Sequence, residues 1–139
     1  MTMYSPQAKI LIVEDEFIIA EDLRGALEEI GHTVVGMAES YTEALEYIVS
    51  RPADLVLLDI NLEGNAEGLK IGALLNERNV PFIYISAYID AKTRDAAELT
   101  NPKGFMVKPF DFGVLQLQIK HALGPDTSLL NRSSRKKTY

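Results

Sequence analysis

The chain has 139 residues, is 47% hydrophobic and 24% charged, carries a formal net charge of −6 and contains no cysteine. This balance is typical of one soluble globular domain, and it excludes a disulfide framework, a thiol nucleophile and a thiolate metal site. The first eight residues lack a signal-peptide core, no apolar run is long enough to span a membrane, and the acidic charge disfavours nucleic-acid binding. We therefore expect a cytoplasmic protein with no membrane or nucleic-acid partner.

Short apolar runs occur five times along the chain. The runs at residues 9–13 and 55–58 are typical of a strand that is buried on both faces of a parallel sheet. The predicted strands cover residues 9–13, 33–37, 55–58, 80–85 and 103–107.

A helical pattern follows each predicted strand. Gly31 ends the first pattern, Ser40 and Glu43 open the second as a capping box, and Asp111 is placed to cap the last. Residues 90–99 form the weakest pattern, with little apolar face. Alternating strands and helices predict an α/β domain over residues 1–124, with helices on both faces of a parallel sheet. The polar, basic residues 125–139 are predicted to be a disordered tail.

Polar residues that can do chemistry follow four of the five strands. Glu14 and Asp15 follow the first, Asp59 the third, Ser86 the fourth and Lys108 the fifth. Because the carboxyl ends of parallel strands share one edge, and ligands bind at that edge, we expect these side chains to converge.

This combination of groups suits phosphoryl transfer. Three converging carboxylates repel one another unless a cation is present, and Mg²⁺ prefers oxygen ligands while leaving room for phosphate. Lys108 supplies a positive charge for a phosphoryl oxygen, and Ser86 supplies a hydroxyl donor. The residues therefore predict a magnesium-dependent site in which Asp59 is the nucleophile. Considered singly, these residues have simpler explanations, such as an acidic helix start for Glu14 and Asp15.

These motifs resemble the receiver domain of two-component response regulators, and the resemblance covers residues 8–124. Its elements are Glu14-Asp15, then Asp59 after Leu-Val-Leu-Leu, then Ser86-Ala87, then Lys108-Pro109-Phe110. The resemblance implies a flavodoxin-like (βα)5 fold, a doubly wound five-stranded parallel sheet with strand order 2-1-3-4-5.

The resemblance also implies a role for each site residue. Asp59 would accept a phosphoryl group from a histidine kinase or a histidine phosphotransfer protein. Asp15 and Asp59 would bind Mg²⁺ directly, Glu14 would act through water, and the Asn61 backbone carbonyl would be a further ligand. Ser86 and Lys108 would bind the phosphoryl oxygens.

Phe105 takes the place of the family's aromatic switch residue, which would turn inward when Ser86 moves towards the phosphate. It is equally well explained as permanent core. The bond between Lys108 and Pro109 is expected to be cis. The sequence departs from the common pattern at Glu14, where Asp is commoner, and at residues 62–68, which lack the usual proline and are one residue longer. Phe105 itself has no hydroxyl to donate.

The expected function is that of a stand-alone receiver that signals through protein contacts and is no enzyme beyond its own phosphorylation and dephosphorylation. Its output face, which could also form a homodimer, would be the fourth helix, fifth strand and fifth helix. Three alternatives stay open: the receiver part of a longer DNA-binding or enzymatic regulator, a haloacid-dehalogenase-type phosphatase, and a metal-binding module without phosphotransfer. Asn61 stands where that phosphatase type has its second acid. Tyr88 could cover the phosphate or be an ordinary surface residue. The basic tail is a solubilising end or, less favoured, a nucleic-acid-binding or docking arm.

Overall fold

The structure, a computed structural model, describes residues 7–87 and 89–124. Five strands alternate with five helices in this part of the chain. The strands are β1 Lys9–Val13, β2 Thr33–Ala38, β3 Leu55–Leu58, β4 Phe82–Ser86 and β5 Gly104–Val107. The helices are α1 Phe17–Glu29, α2 Tyr41–Ser50, α3 Glu67–Glu77, α4 Ala91–Glu98 and α5 Phe112–Leu123. The predicted domain start at residue 1 and the nature of residues 125–139 lie outside the described residues, and the domain limit at residue 124 stays a prediction.

All five strands are parallel, and their order in the sheet is β2-β1-β3-β4-β5. This is the predicted flavodoxin-like topology. Alternate residues of the central strands enter two separate cores. In β3, Val56 and Leu58 pack towards α2, α3 and α4. Leu55 and Leu57 pack towards α1 and α5. The sheet is therefore covered on both faces, as the uninterrupted apolar runs predict.

Side-chain caps begin three of the five helices, α2, α4 and α5. The Ser40 hydroxyl accepts the Glu43 N–H at 3.1 Å, and the Asp111 carboxylate accepts the Val114 N–H at 3.0 Å. The capping box at α2 is modified, because the Glu43 carboxylate accepts the N–H of Glu39 at 2.9 Å. A reciprocal bond to Ser40 would complete the standard box.

The fourth strand begins two residues later than predicted. The Val80 N–H donates to the Leu75 carbonyl at 2.9 Å, so Val80 belongs to the closing turn of α3. Pro81 has no N–H to donate to a neighbouring strand, and the ladder begins at Phe82. The fifth strand likewise begins at Gly104, one residue later than predicted, and β2 extends one residue further, to Ala38.

The fourth helix has little apolar anchoring. Ala97 is its one buried residue, whereas α1 and α3 each bury several. The sequence predicted this weak apolar face. Few apolar contacts are typical of an element that moves at low energetic cost.

Candidate acidic phosphorylation site

The sheet ladder continues past the strand ends and fixes the backbone of the site. The Asp59 N–H donates to the Val13 carbonyl at 2.9 Å, and the Lys108 N–H donates to the Ser86 carbonyl at 2.8 Å. The Glu14 N–H donates to the Ala38 carbonyl at 2.9 Å. The three residues thus occupy one edge of the sheet, where the predicted convergence takes place.

Asp59 lies at the centre of this edge and is 4% exposed. Its Oδ1 accepts the Ser86 hydroxyl at 3.0 Å and the Asn61 N–H at 3.0 Å, and its Oδ2 accepts the Lys108 ammonium at 2.9 Å. The Ser86 oxygen in turn accepts the Ile60 N–H at 3.2 Å. Both carboxylate oxygens therefore face polar donors in a buried setting, where such bonds are strong.

Lys108 joins the carboxylates of the site. Its Nζ lies 2.9 Å from Glu14 Oε1 as well as from Asp59 Oδ2, and 3.3 Å from Glu16 Oε1. Burial by itself lowers the pKa of the Lys108 ammonium, but the bonds and charges of Glu14 and Asp59 outweigh burial and raise it. Lys108 is consequently a permanent positive charge at neutral pH.

The carboxyl group of Glu14 has a perturbed pKa. Burial raises the pKa of its carboxyl to about 7, with a further contribution from the Asp59 charge and opposition from Lys108. Its Oε2 accepts the Glu16 N–H at 3.0 Å. Its Oε1 is buried, and the Lys108 ammonium is its cationic neighbour, 2.9 Å away.

Asp15 completes the acidic group. Carboxylate oxygens of Glu14, Asp15 and Asp59 all lie within 4.8 Å of one another. Asp15 Oδ2 also accepts the Glu63 N–H at 2.9 Å, which ties the site to the loop before α3. Oxygen ligands in this number and spacing are those that Mg²⁺ uses.

The proline-free loop after Asn61 is compact. Leu62, the first residue of this segment, is fully buried, and its carbonyl accepts the Asn65 N–H at 2.9 Å. The Gly68 N–H donates to the Ile60 carbonyl at 2.8 Å. A Cβ at Gly68 would lie 2.1 Å from the Asp59 carbonyl oxygen, so only glycine permits this approach.

Comparison with known proteins decides the family. A sequence model of the response regulator receiver domain matches residues 10–120. The chain belongs to the response regulator receiver family.

Similar receivers occur in longer regulators and as solved structures. The chain is 37% identical over 117 residues to the phyllosphere-induced regulator PhyR of Methylorubrum extorquens, covering 83% of this chain and 43% of that protein. It is 36% identical over 115 residues to the KDP operon transcriptional regulatory protein KdpE of Escherichia coli, covering 82% and 50%. The signal receiver domain of a modulated diguanylate cyclase from Desulfovibrio desulfuricans has a TM-score of 0.79 and 33% identity, covering 85% and 94%. This receiver thus spans about half the length of the two curated relatives.

The receiver's predicted switch residue lies away from the acidic cluster. Phe105 is half-buried in β5, with its ring centroid 5.3 Å from that of Tyr84. The Arg94 guanidinium lies 3.8 Å from the Phe105 ring centroid, within the range of a cation–π contact. The Tyr84 hydroxyl is 2.7 Å from Thr100 Oγ1. Through Arg94, helix α4 is in contact with the Phe105 ring of β5.

Several contacts of the site were not predicted from the sequence. Glu16 directly follows the acidic pair, but nothing in the run distinguishes its role from that of a helix-start acid. Arg94 is one cation of a charged helix, and Glu63 contributes only its backbone.

The Lys108–Pro109 bond is cis. Tyr88 lies outside the described residues. Every helix within the described residues is too short or too polar to cross a bilayer.

Proposed function

We propose that this receiver is a phosphorylation-dependent switch whose phosphoacceptor is Asp59. The observation that carries the proposal is the position of the Asp59 carboxylate, buried at the sheet edge and facing both Lys108 and Ser86 within 3.0 Å. In the proposed reaction an Asp59 oxygen attacks the phosphorus of a phosphohistidine. The new O–P bond forms as the P–N bond breaks, and the imidazole leaves with the electron pair. Water then hydrolyses the acyl phosphate, which releases inorganic phosphate and restores the carboxylate.

Lys108 and Ser86 would bind the transferred group. The Lys108 ammonium is charged and already touches Asp59, so it can neutralise a phosphoryl oxygen with little rearrangement. The Ser86 hydroxyl can turn from the carboxylate to a phosphoryl oxygen. The proposed activity is limited to this self-phosphorylation and self-dephosphorylation.

Glu14, Asp15 and Asp59 fit a magnesium ion. They offer carboxylate oxygens that all lie within 4.8 Å of one another, which is the donor set that Mg²⁺ prefers. The Asn61 carbonyl is proposed as a further ligand. When bound, Mg²⁺ would neutralise negative charge on the phosphoryl group as it transfers. The chain's own residues hold the acceptor oxygen in place.

The proposed output face is formed by α4, β5 and α5. Val107, Val114 and Leu117 expose 65%, 45% and 68% of their surface there. Exposed apolar side chains of this kind suit a protein partner, either a downstream target or a second copy. Phosphorylation would draw Ser86 towards the phosphate and bias the packing of Phe105. The phosphodonor partner would be a histidine kinase or a histidine phosphotransfer protein, and the proposed setting is cytoplasmic.

Two organisations of the full protein are compatible with this site. We favour a stand-alone regulator that acts through protein contacts. The alternative is the receiver part of a longer regulator, and its support is that the chain covers 43% of PhyR and 50% of KdpE. The length of the native open reading frame distinguishes the two.

Acetyl phosphate with Mg²⁺ tests the proposed function. The wild type should gain an acid-stable, base-labile phosphate, and Asp59→Asn should gain none. Asp54→Asn is the matched control, because Asp54 is an acid at the opposite end of β3 that accepts the Lys9 N–H at 2.8 Å. Asp54→Asn should be labelled like the wild type. Labelling that persists in Asp59→Asn would overturn the assignment.

A further inference from the structure

A groove of about 710 Å³ opens between α1 and the start of α5. Three exposed carboxylates lie along its α1 wall, at positions Glu16, Asp22 and Glu29. The remaining surface is largely apolar, with contributions from Ile19, Ala26, Pro109, Phe110 and Phe112. An apolar floor with an acidic rim is complementary to a segment that is both apolar and basic.

The carboxylates are spread along the whole groove. Glu16 and Glu29 are thirteen residues apart, which corresponds to about 20 Å along a helix. Among the described residues that line the groove, Lys108 is the one cation, and it is engaged with the acidic cluster at one end. Because Glu16 is paired with Lys108, the unbalanced negative charge belongs to Asp22 and Glu29, which lie about 10 Å apart along the helix.

The sequence that follows α5 has the matching composition. Residues 125–139 contain Leu129 and Leu130, followed by four cations against a single acid, Asp126. The cations are Arg132, Arg135, Lys136 and Lys137. Apolar residues and positive charge therefore occur in one short stretch, in a chain whose net charge is otherwise strongly negative.

The chain leaves α5 where it can reach the groove. Because all strands are parallel, each helix runs back from the carboxyl edge of the sheet, and α1 and α5 pack side by side on the same core. α5 has 12 residues, a length of about 18 Å. The six residues 125–130 span up to about 20 Å when extended, so Leu130 can return to the level of Phe112.

We propose that residues 129–137 bind back into the groove between α1 and α5. The two leucines cover Phe110 and Phe112, and the cations pair with the carboxylates of the α1 wall. The tether keeps the segment at a high effective concentration, so weak contacts suffice.

Paramagnetic broadening in the full chain tests the proposal directly. Because the chain has no cysteine, Ser133→Cys gives one attachment point for a nitroxide label. Amide signals of α1 and the start of α5 should be broadened, and those of α2 and α3 should be unaffected. Raising the ionic strength from about 0.01 M to about 1 M shortens the screening length from about 30 Å to about 3 Å and should abolish most of the broadening.

A pair of charge-neutral variants supplies the matched comparison. Asp22→Asn with Glu29→Gln removes two rim charges and should reduce the broadening at least twofold. Glu43→Gln with Glu46→Gln, on the exposed surface of α2, should leave it unchanged. Both pairs are exposed, so neither should prevent folding.

Broadening that is absent, spread evenly over the surface or confined to another face would overturn the inference. So would broadening of an unlabelled, isotopically enriched chain mixed with the labelled one, because that contact would come from a second copy. The result is independent of phosphorylation. If acetyl phosphate fails to modify Asp59 while the groove signals still broaden, the proposed function fails and the groove assignment stands.

Discussion

Replacing Lys108 by methionine removes the cation that the acidic cluster shares. Methionine keeps an unbranched stem of similar length, so the change mainly removes charge. In the wild type the ammonium lies 2.9 Å from both Glu14 Oε1 and Asp59 Oδ2. The side chain of Lys108 is 12% exposed, that of Glu14 2% and that of Asp59 5%. The variant therefore leaves two buried carboxylates facing each other without compensation.

The expected loss follows from the burial of the pair. Removing one member of a buried ion pair costs about 3–5 kcal/mol in the free energy of unfolding. Glu14 can reduce this cost by taking up a proton, because burial holds the pKa of its carboxyl at about 7 even beside Lys108, and loss of that cation raises the pKa further. One unit of pKa corresponds to about 1.4 kcal/mol, so we expect a loss near the lower limit, about 3 kcal/mol at about pH 8.

Urea unfolding followed by far-ultraviolet circular dichroism measures this loss, since the chain has no tryptophan for fluorescence. Measurements are made in a chelator and again in Mg²⁺, which at a hundredfold excess over its dissociation constant adds about 2.7 kcal/mol. Mg²⁺ should stabilise Lys108→Met more than the wild type, because the ion replaces a missing charge. Lys120→Met, at an exposed position of α5, is the control. A loss no larger than that of Lys120→Met, or an equal effect of Mg²⁺ on both proteins, would refute the reasoning.

Three further substitutions test the packing and charge of the site. Ser86→Ala removes a buried donor to Asp59 and should cost about 1–3 kcal/mol in urea unfolding; a neutral effect would mean that the hydroxyl contributes nothing before phosphorylation. In the metal-free wild type the native state holds a proton on Glu14 that the unfolded state releases, so stability should fall as the pH rises from 4.5 to about 7. Glu14→Gln should flatten that slope in chelator-treated samples, and an unchanged slope would contradict the assignment. Gly68→Ala should cost about 1–3 kcal/mol, because its Cβ would meet the Asp59 carbonyl at 2.1 Å, whereas Gly25→Ala, with open space around it, should be neutral or stabilising; equal effects would argue against the close approach.

The positions of β1 and β3 could be predicted because each is an uninterrupted apolar run that ends at a polar residue. β1 matches its prediction residue for residue, and β3 runs from Leu55 to Leu58 as expected. The start of β4 was wrong because Val80 alone does not show that its N–H closes α3. The caps at Ser40 and Asp111 could be predicted because a cap depends only on nearby residues. The exception is Glu43, whose carboxylate accepts the N–H of Glu39 rather than that of Ser40.

The convergence of the site could be predicted from topology, but its contacts could not. That Glu14, Asp59 and Lys108 share one sheet edge follows from parallel strands. That one ammonium bridges two carboxylates depends on side-chain rotamers and burial, which a sequence does not specify. The stacking of Arg94 on Phe105 is of the same kind, since it joins a helix and a strand through a long, adaptable side chain.

The central claim is that Asp59 becomes the acyl phosphate. Sodium borohydride reduces an acyl phosphate to the alcohol, so treatment of the acetyl-phosphate-modified protein should convert residue 59 to homoserine. Fragment mass spectrometry locates the change. We predict homoserine at position 59 in the wild type, only after incubation with Mg²⁺, and none at Asp54 or Asp15. Homoserine at another acid, or at position 59 without the phosphodonor, would contradict the account.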